Sequence, residues 1–218
     1  MKNKNFIPMI LLAAFLMFSC TRKSEDMSTG KEGSKEKTET EEVKVDKDSL
    51  FKSASVTKID VSKMTREELR KKINDVYEQY SKIRDELSDD DPEDIKRHTL
   101  KLRKTLLDIQ TETVASGEYN SDWDNRVYQM ESAALKMEMS KDLNEHRVLF
   151  SDMSTVMENM IKNFGAYDKT LYKLTCTNIP DKPWLTDSKD LKNPYFGKEE
   201  LTDNVETCIE ITEAWEFD

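Results

Sequence analysis

The sequence predicts a mainly α fold: an antiparallel bundle of about four helices with a small irregular C-terminal cap that contains short strands and turns. Charged residues make up 36% of the chain, against about a quarter in an average globular domain. Only 5 Gly and 5 Pro occur in 218 residues, too few for an all-β sandwich or barrel, which needs a turn about every 8 to 12 residues. Apolar residues recur at steps of three and four, as on one face of a helix.

The N-terminus has the pattern of a secretory signal. Lys2 and Lys4 precede an apolar run over residues 6–18, which is shorter than the roughly 20 residues of a membrane-spanning helix. A small residue and Cys20 follow, as at a lipoprotein cleavage site. We therefore expect a signal peptide over residues 1–19, lipidation of Cys20 as a membrane anchor, and a mature chain in the bacterial cell envelope, facing the periplasm or the surface. A signal peptide cleaved elsewhere, without lipidation, is the alternative.

The segment after the signal is hydrophilic. Residues 20–58 are predicted as the lipidated cysteine and a disordered charged tether, because they contain too few apolar side chains to offset the entropy of ordering. The folded domain is predicted over residues 59–215. The net charge of −10 argues against a nucleic-acid partner, which would require a basic patch.

Two helices are predicted between residues 65 and 109. Thr65 and Glu68 fit a capping box at the start of the first. The aspartates at 89–91 end it, and Pro92 suits the first position of the second. We interpret the three aspartates as a helix cap exposed to solvent, since they lack the glycine and distal glutamate of a calcium loop. The predicted inward residues are Leu69, Ile73, Val76, Tyr80, Ile83, Leu87, Ile95, Leu102, Leu106 and Ile109.

Two more helices are predicted between residues 121 and 165. Ser121 opens the third, and Gly165 closes the fourth in the position of a left-handed cap. The predicted inward residues are Trp123, Val127, Met130, Ala134, Met137, Leu143, Val148, Phe150, Met153, Met157, Met160, Ile161 and Phe164. Methionine at helical spacing indicates core filling in preference to a Cu(I) site. The turn-rich residues 166–215 form the predicted cap.

One set of residues in the C-terminal half forms a pattern with defined spacing. Its members are Asp142, Arg147, Phe150, Trp184, Asn193, Pro194, Tyr195, Phe196 and Gly197. With these residues the chain resembles, over roughly residues 68–211, the domain-of-unknown-function family numbered 3347. Members of that family occur as envelope lipoproteins and as domains fused to periplasmic adaptor subunits of copper and silver efflux systems. Within the resemblance, Asp142 and Arg147 are interpreted as a structural polar contact near the start of the fourth helix, not as catalytic groups.

The resemblance implies copper binding through a Cys-Pro-Met motif and a Met-Leu-x-Cys-Gly motif, whose soft sulfurs suit Cu(I). This chain keeps Cys176 of the first motif and has no sulfur over residues 200–204, where the second is expected. Copper is therefore a cofactor implied by the resemblance alone. Cys176 is the one inherited candidate metal ligand.

Cys176 and Cys208 leave three alternatives open: a disulfide, two free thiols or a metal site. An oxidising envelope compartment favours the disulfide. His98 and His146 are the 2 histidines of the chain, and neither stands at the spacing of a zinc motif, which argues against a structural zinc site.

Together these observations predict a non-catalytic binding module, not an enzyme. We expect an envelope lipoprotein that acts in copper or other metal homeostasis or in an efflux-associated assembly. Its expected partners are the membrane, through the N-terminal lipid, and an envelope or efflux protein. The alternative is a metal-independent envelope scaffold or protein-interaction lipoprotein that has lost the family's metal site.

Overall fold

The computed structural model describes residues 46–60, 66–116, 121–166, 168–198 and 208–218. The chain divides into two compact units, residues 1–40 and residues 41–218, and all described residues belong to the second. The predicted signal peptide, Cys20 and the predicted tether up to residue 45 lie outside the described ranges.

Five helices and four strands are described. In chain order they are α1 (Lys47–Ser53), β1 (Val56–Ile59), α2 (Glu67–Ser88), α3 (Pro92–Ser116), α4 (Ser121–Met139), α5 (Leu143–Phe164), β2 (Thr170–Cys176), β3 (Trp184–Thr186) and β4 (Ile209–Phe217). The four long helices are the four predicted ones. Connections of at most four residues join them, and α2 also packs against α5, so the helices form an antiparallel bundle. The predicted mainly α class is confirmed.

The helix ends follow from local chemistry. The Asp91 carboxylate accepts a hydrogen bond from the Asp94 amide at 3.0 Å, which caps α3 beside Pro92. Gly165 ends α5 with a φ of 85°, a conformation that favours glycine. At the start of α2, however, the N-cap is Arg66, which makes no side-chain capping bond; Thr65 is not among the described residues.

The bundle core consists of the predicted apolar stripes with one exception. Met130, Met137, Met153, Met157 and Met160 are fully buried, so these methionines fill the core as predicted. Val148 was predicted to face inward but is 54% exposed, whereas its neighbour Leu149 is buried. Position 149, and not position 148, lies on the buried face of α5, because a shift of one residue rotates a helical position by about 100°.

The sheet is more regular than the predicted cap. Its strand order is β1-β4-β2-β3, with β1 parallel to β4 and with β2 antiparallel to both β3 and β4. Strand β1 precedes the bundle in sequence, and Val56 pairs with Ala214 in β4. The cap thus takes strands from both ends of the domain, and β4 extends to Phe217.

Ordered structure therefore begins inside the segment predicted as a tether to residue 58. Helix α1 is capped by Asp46, whose carboxylate accepts from the Ser49 amide at 3.2 Å. Phe51 of α1 is buried edge-on against Tyr172 of β2, with ring centroids 4.7 Å apart. Local composition misses these elements because their stabilising partners lie more than 100 residues away in sequence.

Candidate functional site

Aromatic residues of the predicted family pattern meet where the sheet joins the bundle. Phe150 on α5 stacks on Tyr80 of α2, with centroids 4.8 Å apart and planes at 15°. Tyr195 meets both Phe150 and Trp184 edge-on, at centroid distances of 6.2 and 6.0 Å. Pairs of this geometry add to the stabilisation from burial. The pattern thus brings residues from α5, β3 and the loop at 193–197 into one cluster.

Hydrogen bonds fix the loop in this cluster. Asn193 is fully buried, and its side-chain oxygen accepts from the Tyr195 amide at 3.0 Å across Pro194. The Tyr195 hydroxyl donates to the Pro183 carbonyl at 3.0 Å, and burial raises the pKa of this phenol. Phe196 packs against the same core. Tyr195 is therefore a protonated structural donor.

Strand β3 is held against the bundle through α2. The Leu185 amide donates to the Tyr80 hydroxyl at 3.1 Å, and the Leu185 carbonyl accepts from Arg84 at 3.0 Å. The Tyr80 hydroxyl also lies 2.8 Å from the Ser154 hydroxyl. Burial raises the pKa of Tyr80 to about 12. Both backbone groups of Leu185 thus have buried partners on the helix.

Asp142 and Arg147 have structural contacts with different partners. Asp142 is the N-cap of α5 and accepts from the Asn144 amide at 2.9 Å. Arg147 donates to the Asp90 carboxylate at 2.5 Å and to the Leu87 carbonyl at 3.5 Å, both near the turn between α2 and α3. The pair was predicted as one polar contact near the start of this helix. Instead, Asp142 caps the helix, and Arg147 joins it to the α2–α3 turn.

Asp90 is the residue at this contact that the sequence did not reveal. It has a φ of 54°, and its carboxylate also accepts from the Lys198 amide at 2.9 Å. A Cβ on Gly197 would lie 2.7 Å from the Asp90 carboxyl carbon, so only glycine fits there without a shift. The interpretation of Asp90 as a solvent-exposed cap residue was wrong, because the C-terminal loop covers the turn. We call Asp90, Arg147, Phe150, Trp184 and residues 193–198 the cap seam.

Cys176 and Cys208 form a disulfide, with Cα atoms 4.8 Å apart. Cys176 ends β2, Cys208 precedes β4, and both are buried. The Thr177 amide donates to the Cys208 carbonyl at 2.9 Å. Of the three alternatives left open by the sequence, the structure has the disulfide. Since thiolates bind metals, the hypothesis that Cys176 is a metal ligand applies only to the reduced protein. Residues 200–204, the second family motif position, are not described.

A different group of side chains has the composition of a metal site. Glu86 on α2 and Asp94 and His98 on α3 each offer one ligand atom, and these atoms all lie within 4.8 Å of one another. We call these three residues the carboxylate–histidine group. Asp94 and His98 are four residues apart on one helix, which is the only signal that the sequence carries for it. Glu86 joins them through the fold of the α2–α3 hairpin.

The second histidine has a different environment. His146 on α5 is buried, and its Nε2 lies 3.2 Å from the Ser140 carbonyl. Its Nδ1 has no hydrogen-bond partner within the described part of the chain. No group of three potential ligands that includes His146 is found there.

Comparison with known proteins gives one match. The model of the family described as "Protein of unknown function (DUF3347)" matches residues 76–169, a span that holds Asp142, Arg147 and Phe150 but precedes Trp184. Neither the curated proteins nor the solved structures gave a match. Within the described ranges, no helix is both long enough and apolar enough to span a membrane. Residues 76–169, the greater part of the helical bundle, are thus similar to the family of unknown function DUF3347, as the resemblance in the sequence indicates.

Proposed function

We propose that this chain is a non-catalytic binding module, anchored in the bacterial envelope through Cys20, that acts in metal homeostasis or an efflux-associated assembly. The observation that carries the proposal is the use of the family pattern in the cap seam. Its side chains pack against one another or bond backbone and partner side chains, as Tyr195 does with Pro183. A pattern of this kind stabilises the fold, and its described side chains make structural contacts without forming a nucleophile–base pair, which supports a non-catalytic role.

The disulfide restricts copper binding through Cys176 and Cys208 to the reduced protein. Cu(I) prefers thiolate and thioether ligands, and the bond between Cys176 and Cys208 occupies both sulfurs. Copper binding through these residues therefore requires reduction of the disulfide. An oxidised chain is expected to act without Cu(I) at the cap.

The experiment is a Cu(I) titration of the full chain against a competing chelator. Cys20→Ser in all samples leaves Cys176 and Cys208 as the cysteines present, since the chain has 3. The oxidised chain, the reduced chain and a Cys176→Ser, Cys208→Ser variant are compared. If the reduced chain binds more tightly than the double variant, the copper role is supported. Equal affinity rejects copper binding through these cysteines.

A second candidate function, a metal-independent interaction module, is favoured by the face that α4 and α5 share. A groove of about 360 Å³ lies between them and is lined by Tyr128, Ala133, Leu149, Val156 and several polar residues. Tyr128, Met139 and Val148, on the same two helices, are 71, 78 and 54% exposed. Exposed apolar side chains grouped on one face are typical of interaction surfaces. Cross-linking in envelope extracts, lost with Tyr128→Ser and retained with Lys96→Ser on α3, tests this candidate.

A further inference from the structure

The carboxylate–histidine group lies on the α2–α3 hairpin and shares no residue with the cap seam or the disulfide. Its three ligand atoms, from Glu86, Asp94 and His98, come within 4.8 Å of one another without an ion. Zinc ligands lie about 2.0–2.2 Å from the metal, so the three side chains move closer to one another when an ion binds. The two helices that carry them are held together by the bundle core.

His98 is oriented by a second residue. It is only 5% exposed, and its Nδ1 lies 3.1 Å from the amide oxygen of Gln79. An amide oxygen can only accept, so this contact corresponds to the tautomer with the proton on Nδ1 and the lone pair on Nε2. Metal-binding histidines are commonly held in this way, with one ring nitrogen bonded to an oxygen of a second residue. No second hydrogen bond to His98 is found among the described residues.

Charged side chains of both signs lie near the group: Asp91 and Asp89 act on Glu86, and Arg97, Lys101 and Lys82 act on His98. Arg97 pairs with one oxygen of Asp94, and the other oxygen of that carboxylate remains for an ion.

We propose that Glu86, Asp94 and His98 form a binding site for a divalent first-row transition-metal ion, with Gln79 as the residue that orients His98. One imidazole and two carboxylates match Zn²⁺ and Cu²⁺ and lack the soft sulfur that Cu(I) prefers. Three protein ligands leave a fourth position open for water or for a donor atom of a partner. The site goes beyond the proposed function, because it needs neither the cysteines nor the family pattern of the cap.

The test is a Zn²⁺ titration of the full chain, without a histidine tag, against a chromophoric chelator. All samples carry Cys20→Ser and keep the disulfide, so that no thiol binds the ion. We expect saturation at one Zn²⁺ per chain and a rise in melting temperature with Zn²⁺. Binding is expected to be lost in His98→Gln and in Glu86→Gln. Gln79→Leu is expected to weaken it by about tenfold or more, as for other residues that orient a ligand.

Matched controls separate the site from general effects. His146→Gln removes the other histidine and Glu93→Gln removes an exposed carboxylate of α3; both are expected to bind Zn²⁺ as the parent chain does. Circular dichroism without metal shows whether each variant folds. Glu86 is only half-buried, so Glu86→Gln still tests the site if His98→Gln does not fold. Cu²⁺ is expected to bind at least as tightly as Zn²⁺, and Mg²⁺ far more weakly.

Two results would overturn the proposal. One is Zn²⁺ affinity in the parent chain no greater than in a Glu86→Gln, His98→Gln double variant. The other is Mg²⁺ affinity equal to that of Zn²⁺, which would indicate nonspecific attraction to the acidic turn. Neither result bears on Cu(I) binding by the cysteines, so failure of this site is distinguishable from failure of the proposed function.

Discussion

The cap seam and the carboxylate–histidine group both include residues at or next to the α2–α3 turn, and they differ in how their charges are partnered. In the cap seam, the Asp90 carboxylate accepts from Arg147 and from the Lys198 amide. In the other group, Glu86 faces like charges and forms no ion pair within the described ranges. A satisfied polar contact stabilises the fold, whereas in the carboxylate–histidine group only Asp94 has an ion-pair partner among the described residues, Arg97.

Phe150→Ala is expected to have the largest effect. The ring is fully buried, stacks on Tyr80 and meets Tyr195, and such truncations cost about 3–5 kcal/mol. Denaturant unfolding measures the loss. Val148→Ala, at a position 54% exposed on the same helix, is the control and should change the free energy of unfolding by less than about 0.5 kcal/mol. Equal losses of unfolding free energy in the two variants would show that packing of Phe150 in the cap seam does not stabilise the domain.

Loss of the disulfide ranks next. Cys176 and Cys208 are 32 residues apart, and closing a loop of that length is worth about 3–4 kcal/mol in the chain-entropy model. Thermal unfolding of the chain with and without reductant measures this, with the Cys176→Ser, Cys208→Ser variant as control, because it should not respond to reductant. Mass spectrometry under non-reducing conditions checks the bond itself; detection of two free thiols would contradict it.

Gly197→Ala tests the close contact at the cap seam. The new Cβ would overlap the Asp90 carboxyl group, and overpacking of this kind costs about 1–3 kcal/mol. A double-mutant cycle with Asp90→Ala identifies the cause, because removing the carboxylate should relieve most of the cost of the second change. Additive losses would show that the contact with Asp90 is not what requires glycine.

Asp187 supplies a pH-dependent link between the sheet and the bundle. It accepts from Tyr77 at 3.1 Å and from Lys169 at 2.9 Å. Although burial opposes ionisation, these partners lower the pKa of Asp187 below 3.8. The stabilisation is therefore present above pH 3.8 and is lost as the pH falls from there through the lowered pKa.

The corresponding variant is Asp187→Asn. It should cost about 1 kcal/mol or less at neutral pH, and it should reduce the acid dependence of the free energy of unfolding. The exposed Asp181→Asn serves as control and should leave the acid limb unchanged. An unaltered acid limb in Asp187→Asn would contradict the assignment.

The smallest effect has the opposite sign. Glu86→Gln removes a charge that burial and the neighbouring aspartates disfavour, so the metal-free chain is expected to gain a few tenths of a kcal/mol. Asp90→Asn at the cap seam, by contrast, should lose stability. Chemical denaturation in the presence of a chelator compares the two variants. A loss in both would remove the distinction between the two regions.

The helices were predictable because their signals are local. The stripe from Leu69 to Leu87 repeats with the period of a helix, and Pro92 and Gly165 occupy end positions that their backbone preferences favour. Strand β1 carried no such signal. Three of its four residues are exposed, and its order comes from pairing with β4 at the other end of the domain. Composition alone therefore extended the tether too far.

The residues of the candidate sites also differ in whether a local sequence signal identifies them. Trp184, Tyr195 and Gly197 were identified by their pattern, and the chemistry of Cys176 and Cys208 could be reduced to three alternatives. Asp90 could not be identified, because its role depends on a loop that lies over 100 residues further along the chain. Glu86 and His98 likewise meet only through the packing of α2 against α3.

The four long helices and most of their buried faces follow from the sequence alone, since each depends on neighbours within a few turns. The resemblance to the family whose model matches residues 76–169 also rests on the sequence. Only the tertiary structure decided that β1 joins the sheet, that Cys176 and Cys208 are bonded, and that Arg147 and Gly197 meet at Asp90. It also assembled the carboxylate–histidine group from two helices. The physical reason is that these contacts join distant segments, whose approach is set by burial of the common core and not by any local preference of the residues involved.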